Sequence, residues 1–218
     1  MREMNYFIVG DVHGCYYTLK KLLQNWDSDR QKLIFVGDYI NKGKHSRKVV
    51  ELVRELQYRY PGTVCIKGNH EYEMVRYIED GTKNSDIKEN FRNTLMDYDL
   101  RNKYRDDVKW MKRLPLYYDD GDIYVTHAGV NWLGLRKFKE NSSWCVLRYR
   151  GRLKRMSRLQ VFGHTPTESK RPEFNKKSNA INIDSGAGNF DNMSAVLIDD
   201  AGKIRKIYTE QIRKEDYH

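Results

Sequence analysis

Five short segments of the chain place acidic, amide or imidazole side chains directly after hydrophobic runs. The segments are Gly10-Asp11-Val12-His13-Gly14, Gly37-Asp38, Gly68-Asn69-His70-Glu71, Thr126-His127-Ala128-Gly129 and Gly163-His164-Thr165. Histidines and aspartates at strand ends contribute little to folding stability, so their repetition indicates a chemical role. Carboxylate oxygens, amide oxygens and imidazole nitrogens together suit ions such as Mn, Fe and Zn. The pattern therefore predicts a pair of metal ions at one edge of a sheet, where they can activate water.

The candidate ligands divide between two ions. Asp11 and His13 are two residues apart, and the glycines beside them allow a tight turn in which both reach one ion. Asp38 offers two oxygens and can bridge both ions, so we expect it to complete the first site. We expect the second ion to be bound by Asp38 and by three neutral ligands, Asn69, His127 and His164. A single histidine is more often structural than a ligand, but four of the six histidines lie inside the five segments.

The first seventy residues contain the elements that must position four of the six ligands. Apolar runs alternate with amphipathic stretches, which predicts strands at Tyr6–Val9, Leu33–Val36 and Val64–Ile66 with helices between them. Ser46 is a candidate N-cap of the second helix, which Pro61 should end. This order favours a parallel sheet with right-handed crossovers. Sites in such sheets lie beyond the carboxyl ends of the strands, which should bring together Asp11, Asp38 and Asn69.

The rest of the chain predicts a helical excursion followed by short strands. The excursion covers about residues 72–114, from Tyr72 to Leu114, which are strongly charged. Asp199–Gly202 suits a turn between two antiparallel strands. Lys170–Asn179 is polar and contains Pro172, which favours a surface loop. We find no interdomain linker and expect one domain over residues 1–218. The predicted strands are Ile123–Thr126, Leu159–Phe162, Ala180–Ile183, Ser194–Ile198 and Ile204–Tyr208.

The composition favours an anionic partner and a reducing compartment. The formal net charge is +10, from 40 Lys and Arg against 30 Asp and Glu, which suits phosphate esters, nucleotides or nucleic acid; the alternative is that most of this charge serves solubility. Three scattered cysteines, Cys15, Cys65 and Cys145, form no disulfide or zinc pattern. No run of the sequence resembles a signal peptide or approaches the length of a membrane span. We therefore expect a cytoplasmic protein with no membrane partner; the sequence gives no indication of oligomeric state.

The five segments resemble the metallophosphoesterase family. GDVHG, GD, GNHE, THAG and GHTP occur in the family's order and are followed by Asn182-Ile183-Asp184-Ser185-Gly186. The resemblance is to the calcineurin-like branch that holds serine/threonine protein phosphatases, bacteriophage-type phosphatases and symmetrical diadenosine tetraphosphatases. It implies an α/β fold of two mixed β-sheets packed as a four-layer sandwich flanked by helices, with a dimetal site at the carboxyl ends of strands.

The same resemblance implies a mechanism. A hydroxide shared by two divalent ions, with Mn expected and Fe or Zn as alternatives, would attack phosphorus in line with the leaving oxygen. His70 would be the general acid that protonates the leaving group, a contribution of typically ~10²–10⁴-fold. A second possibility for His70 is a hydrogen bond that only orients a ligand.

The second segment departs from the family pattern GD-x-x-D-R-G. Asn41 stands where a carboxylate would orient and charge-stabilise the catalytic histidine, and an amide cannot favour the imidazolium by charge. Lys42 replaces an arginine that would bind phosphate through two parallel hydrogen bonds. Lys67 again stands where the phosphatases often have arginine. We expect a further phosphate contact from Arg150, or failing that Arg148, although this basic stretch could also be a solvated helical face.

These features favour a dimetal phosphoesterase that acts on a phosphorylated protein, most simply a serine/threonine phosphatase, or on a small phosphoester. A symmetrical bis(5'-nucleosyl)-tetraphosphatase would use the same ligands on a phosphoanhydride. A third alternative is a weakly catalytic module in which the metals hold a phosphate-bearing partner such as RNA. No RNA-binding motif with interleaved aromatic residues is present, so a nucleic-acid partner is not expected.

Overall fold

The computed structural model describes residues 5–79, 91–98 and 104–217. The α-helices in these ranges are α1 (Tyr16–Leu22), α2 (Ser46–Arg59), α3 (Asn69–Glu79), α4 (Arg92–Asp97) and α5 (Tyr104–Arg113). The strands are β1 (Asn5–Val9), β2 (Gln31–Phe35), β3 (Val64–Cys65), β4 (Tyr117–Asp119), β5 (Ile123–Thr126), β6 (Leu159–Phe162), β7 (Glu173–Asn175), β8 (Ala180–Asn182), β9 (Asn192–Ile198) and β10 (Ile204–Gln211). Short 3-10 turns lie at Leu23–Asn25, Ala187–Asn189 and Lys214–Asp216.

The first sheet has the strand order β10-β9-β1-β2-β3. Strands β1, β2 and β3 are parallel, as the sequence predicted, and β9 pairs antiparallel with β1 and with β10. The turn at Asp199 closes with hydrogen bonds between Asp199 and both Gly202 and Lys203. Because the three parallel strands end at one edge, the loops after them meet there.

The second sheet has the order β4-β5-β6-β8-β7. Its centre is parallel, β5 with β6 and β6 with β8, while β4 and β7 pair antiparallel at the two edges. The fold class predicted from the resemblance, two mixed sheets flanked by helices, is confirmed.

Alternation along β1 divides the core into two layers. Tyr6 and Ile8 face the second sheet and pack with residues such as Val125 and Val161. Phe7 and Val9 face the other way, in a cluster that also contains apolar residues of α1, α2, α3 and α5. This alternation is the two-residue period of a strand whose two faces are both buried. On the second sheet, Tyr124 instead packs against the turn-rich segment around Cys145–Leu147, so turns rather than a helix form that outer layer.

The element boundaries correct three details of the sequence analysis. Ser46 does not cap α2: it is the first helical residue, and its hydroxyl accepts the N–H of Asn41. The predicted loop Lys170–Asn179 contains the short edge strand β7, and β4 was not predicted. In the predicted helical stretch 72–114, α3, α4 and α5 are helical, whereas residues 80–90 and 99–103 lie outside the described residues. The strands β5 and β6 have the predicted bounds.

The helices of the described ranges are short. The longest, α2, has 14 residues, and none of those in the described part of the chain has the length and hydropathy that a membrane span requires.

Candidate metal centre

The six predicted ligands lie together where both sheets end. Asp11, Asp38 and Asn69 follow β1, β2 and β3, whereas His127 and His164 follow the neighbouring strands β5 and β6. All of these side chains are buried, as is that of His13. The structure therefore brings the six residues together from both halves of the sandwich; their role as ligands stays a proposal.

Asp38 is the shared member of the cluster. Its Oδ2 lies 3.3 Å from Nε2 of His127 and 3.6 Å from Nε2 of His13. Two groups of side chains with ligand atoms within 4.8 Å of one another contain it: His13, Asp38 and His70 form one, and Asp38, His127 and His164 form the other. This arrangement suits a carboxylate that bridges two cations.

Backbone carbonyls orient two of the histidine rings. Nδ1 of His127 lies 3.1 Å from the carbonyl oxygen of Val36, and Nδ1 of His13 lies 3.3 Å from that of Ile40. A carbonyl oxygen only accepts, so each Nδ1 donates and each Nε2 faces the carboxylate of Asp38. Hydrogen bonds of this kind fix the tautomer of metal-binding histidines. Nε2 of His127 is also 3.0 Å from Oδ1 of Asn69.

The donor set fits two divalent cations. Nε2 of His164 is buried and has no hydrogen-bond partner among the described residues, which is costly unless a cation accepts its lone pair. Burial lowers the pKa of His164 to about 3 and that of His13 to about 4, which keeps both rings neutral. Bound cations would acidify a water and neutralise phosphate charge at this position.

The pKa values of the two acidic candidate ligands shift in opposite directions. Burial alone would raise the pKa of Asp38, but the charge of His127 beside it outweighs burial and holds that pKa well below its usual range. Burial raises the pKa of Asp11, and the nearby Asp184 adds to this. Burial opposes charging of His127, yet Asp38 raises its pKa to about 9. A divalent cation beside Asp38 would reverse that preference.

The loops that carry the ligands have unusual backbone conformations. Asp38, Asn41 and His164 have φ angles of +53°, +79° and +71°, in the left-handed region that non-glycine residues rarely adopt. At Gly68 and Gly163 a Cβ would overlap the carboxylates of Asp38 and Asp11, respectively. The backbone thus approaches both acids more closely than any side chain allows.

Sequence reasoning gave no role to Glu71, which fixes this geometry. Its buried carboxylate accepts the N–H groups of Asp38 at 2.9 Å, Tyr39 at 2.9 Å and Gly68 at 3.0 Å. One side chain therefore ties the loop after β2 to the loop after β3. The signal was its place in Gly68-Asn69-His70-Glu71, next to two residues that were assigned.

Asp184 is a second residue to which no role was given. It directly follows Ile183 just past β8, is buried, and lines the cavity over the ligands. Its carboxylate accepts the N–H of Gly186 at 3.0 Å. The signal was present: an acid follows a strand here, as Asp11 follows β1.

His70 lies beside Asn41 rather than a carboxylate. Nδ1 of His70 is 2.9 Å from Nδ2 of Asn41, and Oδ1 of Asn41 is 3.5 Å from the hydroxyl of Thr94. With the amide in this orientation, Nδ2 donates to Nδ1 of the imidazole. Burial lowers the pKa of His70, and the neutral amide offers no charge to offset that effect.

The candidate phosphate contacts separate into two groups. Lys42 and Arg150 line a cavity of about 200 Å³ together with His13, His70 and His164. The other two candidates do not belong to the lining of this cavity. The ammonium of Lys67 bonds with Glu140 at 2.8 Å and with the carbonyl of Lys112 at 3.0 Å, and the guanidinium of Arg148 lies over the ring of Tyr72.

The segment around Arg150 is not the basic helical face considered from the sequence. Residues 148–158 form turns and irregular chain, and Nη1 of Arg150 bonds with the hydroxyl of Thr165 at 3.2 Å. Arg150 also lines a second, larger cavity of about 670 Å³. The two cavities therefore meet at this side chain.

Comparisons with known proteins agree with this geometry. The family described as calcineurin-like phosphoesterase matches residues 4–202. The bis(5'-nucleosyl)-tetraphosphatase PrpE [asymmetrical] of Bacillus cereus (strain Q1) is 29% identical, covering 84% of this chain and 86% of that protein.

Two solved structures share the fold. A protein proposed to be a diadenosine tetraphosphatase superposes with a TM-score of 0.70 at 22% identity, covering 94% of this chain and 93% of that one. A Saccharomyces cerevisiae protein serine/threonine phosphatase with similarity to human phosphatase PP5 superposes with a TM-score of 0.64 at 17% identity. The match covers 98% of this chain and 82% of that one. The family match over nearly the whole length shows that the chain belongs to the calcineurin-like phosphoesterases.

Proposed function

We propose that the chain is a dimetal hydrolase of dinucleoside polyphosphates, which cleaves a phosphoanhydride bond. Asp11, His13 and Asp38 would hold one divalent ion, and Asp38, Asn69, His127 and His164 the other. Mn is the expected metal, with Fe or Zn as alternatives. The observation that carries the substrate choice is the amide of Asn41 at 2.9 Å from His70.

The reason lies in the leaving group. A phosphoserine or phosphothreonine releases a strongly basic alkoxide unless an acid protonates it, and such acid catalysis requires a suitably charged imidazole. Beside a neutral amide and at a lowered pKa, His70 is a poor proton reservoir. A phosphoanhydride releases a phosphate oxygen, a much weaker base that can leave with a hydrogen bond alone. His70 can supply that hydrogen bond from Nε2.

The remaining residues of the cavity would bind and orient the phosphate chain. Lys42 and Arg150 line the cavity together with members of the buried ligand cluster. Arginine can hold two phosphate oxygens in parallel, whereas lysine supplies a point charge. Charge developing on the phosphate oxygens would be stabilised by these preplaced cations.

The relatives add support to this proposal, and they include a protein phosphatase of the same fold. The tetraphosphatase of Bacillus cereus covers most of the chain, whereas the protein phosphatase structure shares the fold at 17% identity. Activity on phosphoserine or phosphothreonine stays a prediction that the same experiment tests.

The experiment is a substrate panel with the Mn-supplemented protein. Diadenosine tetraphosphate, a phosphoserine peptide and 4-nitrophenyl phosphate are compared by kcat/KM, with chelator-treated protein as the blank. We expect the highest kcat/KM on diadenosine tetraphosphate. ADP as the single product indicates symmetrical cleavage, and ATP with AMP indicates asymmetrical cleavage. A higher kcat/KM on the phosphopeptide would overturn the proposal and restore the phosphatase prediction.

A further inference from the structure

The larger cavity beside the ligand cluster is built from three separate parts of the chain. The segment Tyr149–Arg155 forms one wall, the end of β6 at Phe162 and Thr165 another, and residues 175–182 of the β7–β8 hairpin the third. Its volume of about 670 Å³ falls in the range of sites that enclose small-molecule ligands. Arg150 lines this cavity and also the metal cavity, so a ligand can extend from one into the other.

Hydrogen bonds fix the walls. Nη1 of Arg155 donates to the carbonyl oxygens of Lys176 and Lys177 at 3.1 and 3.4 Å, which joins the first wall to the hairpin. The hydroxyl of Tyr149 donates to the carbonyl oxygen of Arg152 at 3.0 Å, and the N–H of Trp132 donates to the same oxygen at 3.1 Å. These bonds hold the first wall against the hairpin and fix the backbone turn within that wall.

The lining is strongly cationic. Arg150, Arg152, Arg155 and Lys177 belong to it, and no Asp or Glu is among its described residues. Other arginines of the chain are neutralised, for example Arg158 by Asp119 and Arg205 by Asp199. In the described part of the chain, no carboxylate lies within ion-pair distance of these four cations. Unpaired cations around one cavity favour a ligand with several negative charges.

The same lining also offers apolar surface. Phe162, Leu153 and the ring of Tyr149 take part in it. A cavity for phosphate alone needs no aromatic surface, whereas a nucleoside attached to phosphates presents a planar base that packs on such rings. Cations and aromatic groups together match a nucleotide, which carries both phosphates and a base.

We propose that this cavity is the subsite for the part of the substrate beyond the cleaved phosphate, namely the distal phosphates and their nucleoside. The inference rests on the proposed function and deepens it. Arg150 receives the phosphate chain where the two cavities meet, Arg152 and Lys177 bind the distal phosphates, and the apolar wall receives the base. The subsite thereby selects extended nucleotide substrates over small phosphate monoesters.

Equilibrium binding of ADP tests the subsite without hydrolysis. ADP is titrated calorimetrically into the full chain at low salt, with a chelator present so that binding does not depend on metal ions. Arg152→Ala and Lys177→Ala are the test variants; both side chains are exposed, and thermal melting verifies that the fold is kept. Lys176→Ala is the matched control, because it removes the same charge from the adjacent residue, whose side chain does not line this cavity.

We expect each test variant to weaken ADP binding about tenfold, as for the loss of one charge-assisted hydrogen bond, and the control to change it less than about twofold. With metals present, the ratio of kcat/KM for diadenosine tetraphosphate to that for 4-nitrophenyl phosphate should fall about tenfold in the test variants. Inorganic triphosphate that binds as tightly as ADP would exclude a nucleoside position and overturn this half of the proposal.

The outcomes separate the two proposals. ADP binding that is equal in all variants would overturn the subsite, even if the protein hydrolyses diadenosine tetraphosphate. A protein that prefers phosphopeptide but loses ADP binding only in the test variants would retain the nucleotide cavity, and the proposed function alone would fail.

Discussion

The buried ligand cluster and the rim of its cavity, formed by Asn41, Lys42, His70 and Arg150, are held in place by different kinds of contact. In the cluster, backbone carbonyls orient His13 and His127, and the carboxylate of Glu71 accepts N–H groups from the loops that carry Asp38 and Asn69. At the rim, individual side chains face the phosphate position, and Asn41 and Lys42 are of a different residue type from the Asp and Arg of the family pattern. The difference indicates that metal binding is fixed by the fold, whereas substrate choice can change through a few side chains.

Replacing the shared ligand should have the largest effect. Asp38→Asn keeps the size of the side chain but removes the anion that both groups of ligand atoms share. We expect kcat on diadenosine tetraphosphate to fall at least ~10³-fold, the scale on which preplaced charge acts in active sites. Metal content by mass spectrometry should fall with it. Asp29→Asn, on the exposed surface, is the control; a variant that retains both metals and full activity would contradict the bridging assignment.

Glu71→Gln tests whether the cluster depends on the backbone around it. The amide can accept some of the N–H groups of Gly68, Asp38 and Tyr39, but its NH₂ group must face other donors in a fully buried site. We expect a loss of about 2 kcal/mol in the free energy of unfolding and a loss of metal affinity of ~10–100-fold.

Urea unfolding with chelator measures the first effect of that variant, and titration with Mn²⁺ measures the second. Glu55→Gln, on the exposed side of α2, provides the comparison. Unchanged metal affinity in a destabilised Glu71→Gln variant would show that Glu71 serves only the fold.

The sequence predicts the buried elements of the fold better than the exposed ones. The strands β5 and β6 were predicted with their bounds because continuous apolar runs between turn residues define buried strands. The edge strands β4 and β7 were missed because they have three residues each and are largely exposed, so they lack such a run. The residue type of Ser46 predicts an N-cap, but its hydroxyl bonds with Asn41 and Thr94 instead.

The site shows the same limit. Ligand types after strands predicted which six residues converge, since parallel strands end at one edge. No local pattern shows that Glu71 accepts N–H groups from residues more than thirty positions away. Nor does one show that Glu140 engages Lys67, seventy-three positions along the chain. Motifs therefore predict the cluster better than they predict its supports or its rim.

Asn41→Asp tests the rim directly. Aspartate tolerates the left-handed conformation at this position as asparagine does, and its charge would favour the imidazolium form of His70. We expect turnover of a phosphoserine peptide to rise about tenfold, turnover of 4-nitrophenyl phosphate to rise less, and that of diadenosine tetraphosphate to change least. Asn141→Asp is the exposed control. Equal or lower rates on all three substrates would show that the amide does not limit His70.

Lys42→Arg should change the kinetics least of these variants, and it tests whether a rim residue affects substrate binding without affecting catalysis. Residue 42 has φ of +73°, and its carbonyl accepts the amide N–H of Asn93 at 3.0 Å; lysine and arginine adopt this conformation at equal cost, so the swap changes only the head group. A guanidinium can bind two oxygens of one phosphate, and we expect KM for diadenosine tetraphosphate to fall about threefold with kcat nearly constant. Lys44→Arg, at an exposed position two residues further on, is the control for replacing a surface lysine with arginine. A fall in kcat instead would mean that the ammonium of Lys42 contacts the transition state in a geometry that the planar guanidinium cannot reproduce. The rim would then contribute to catalysis as well as to the choice of substrate.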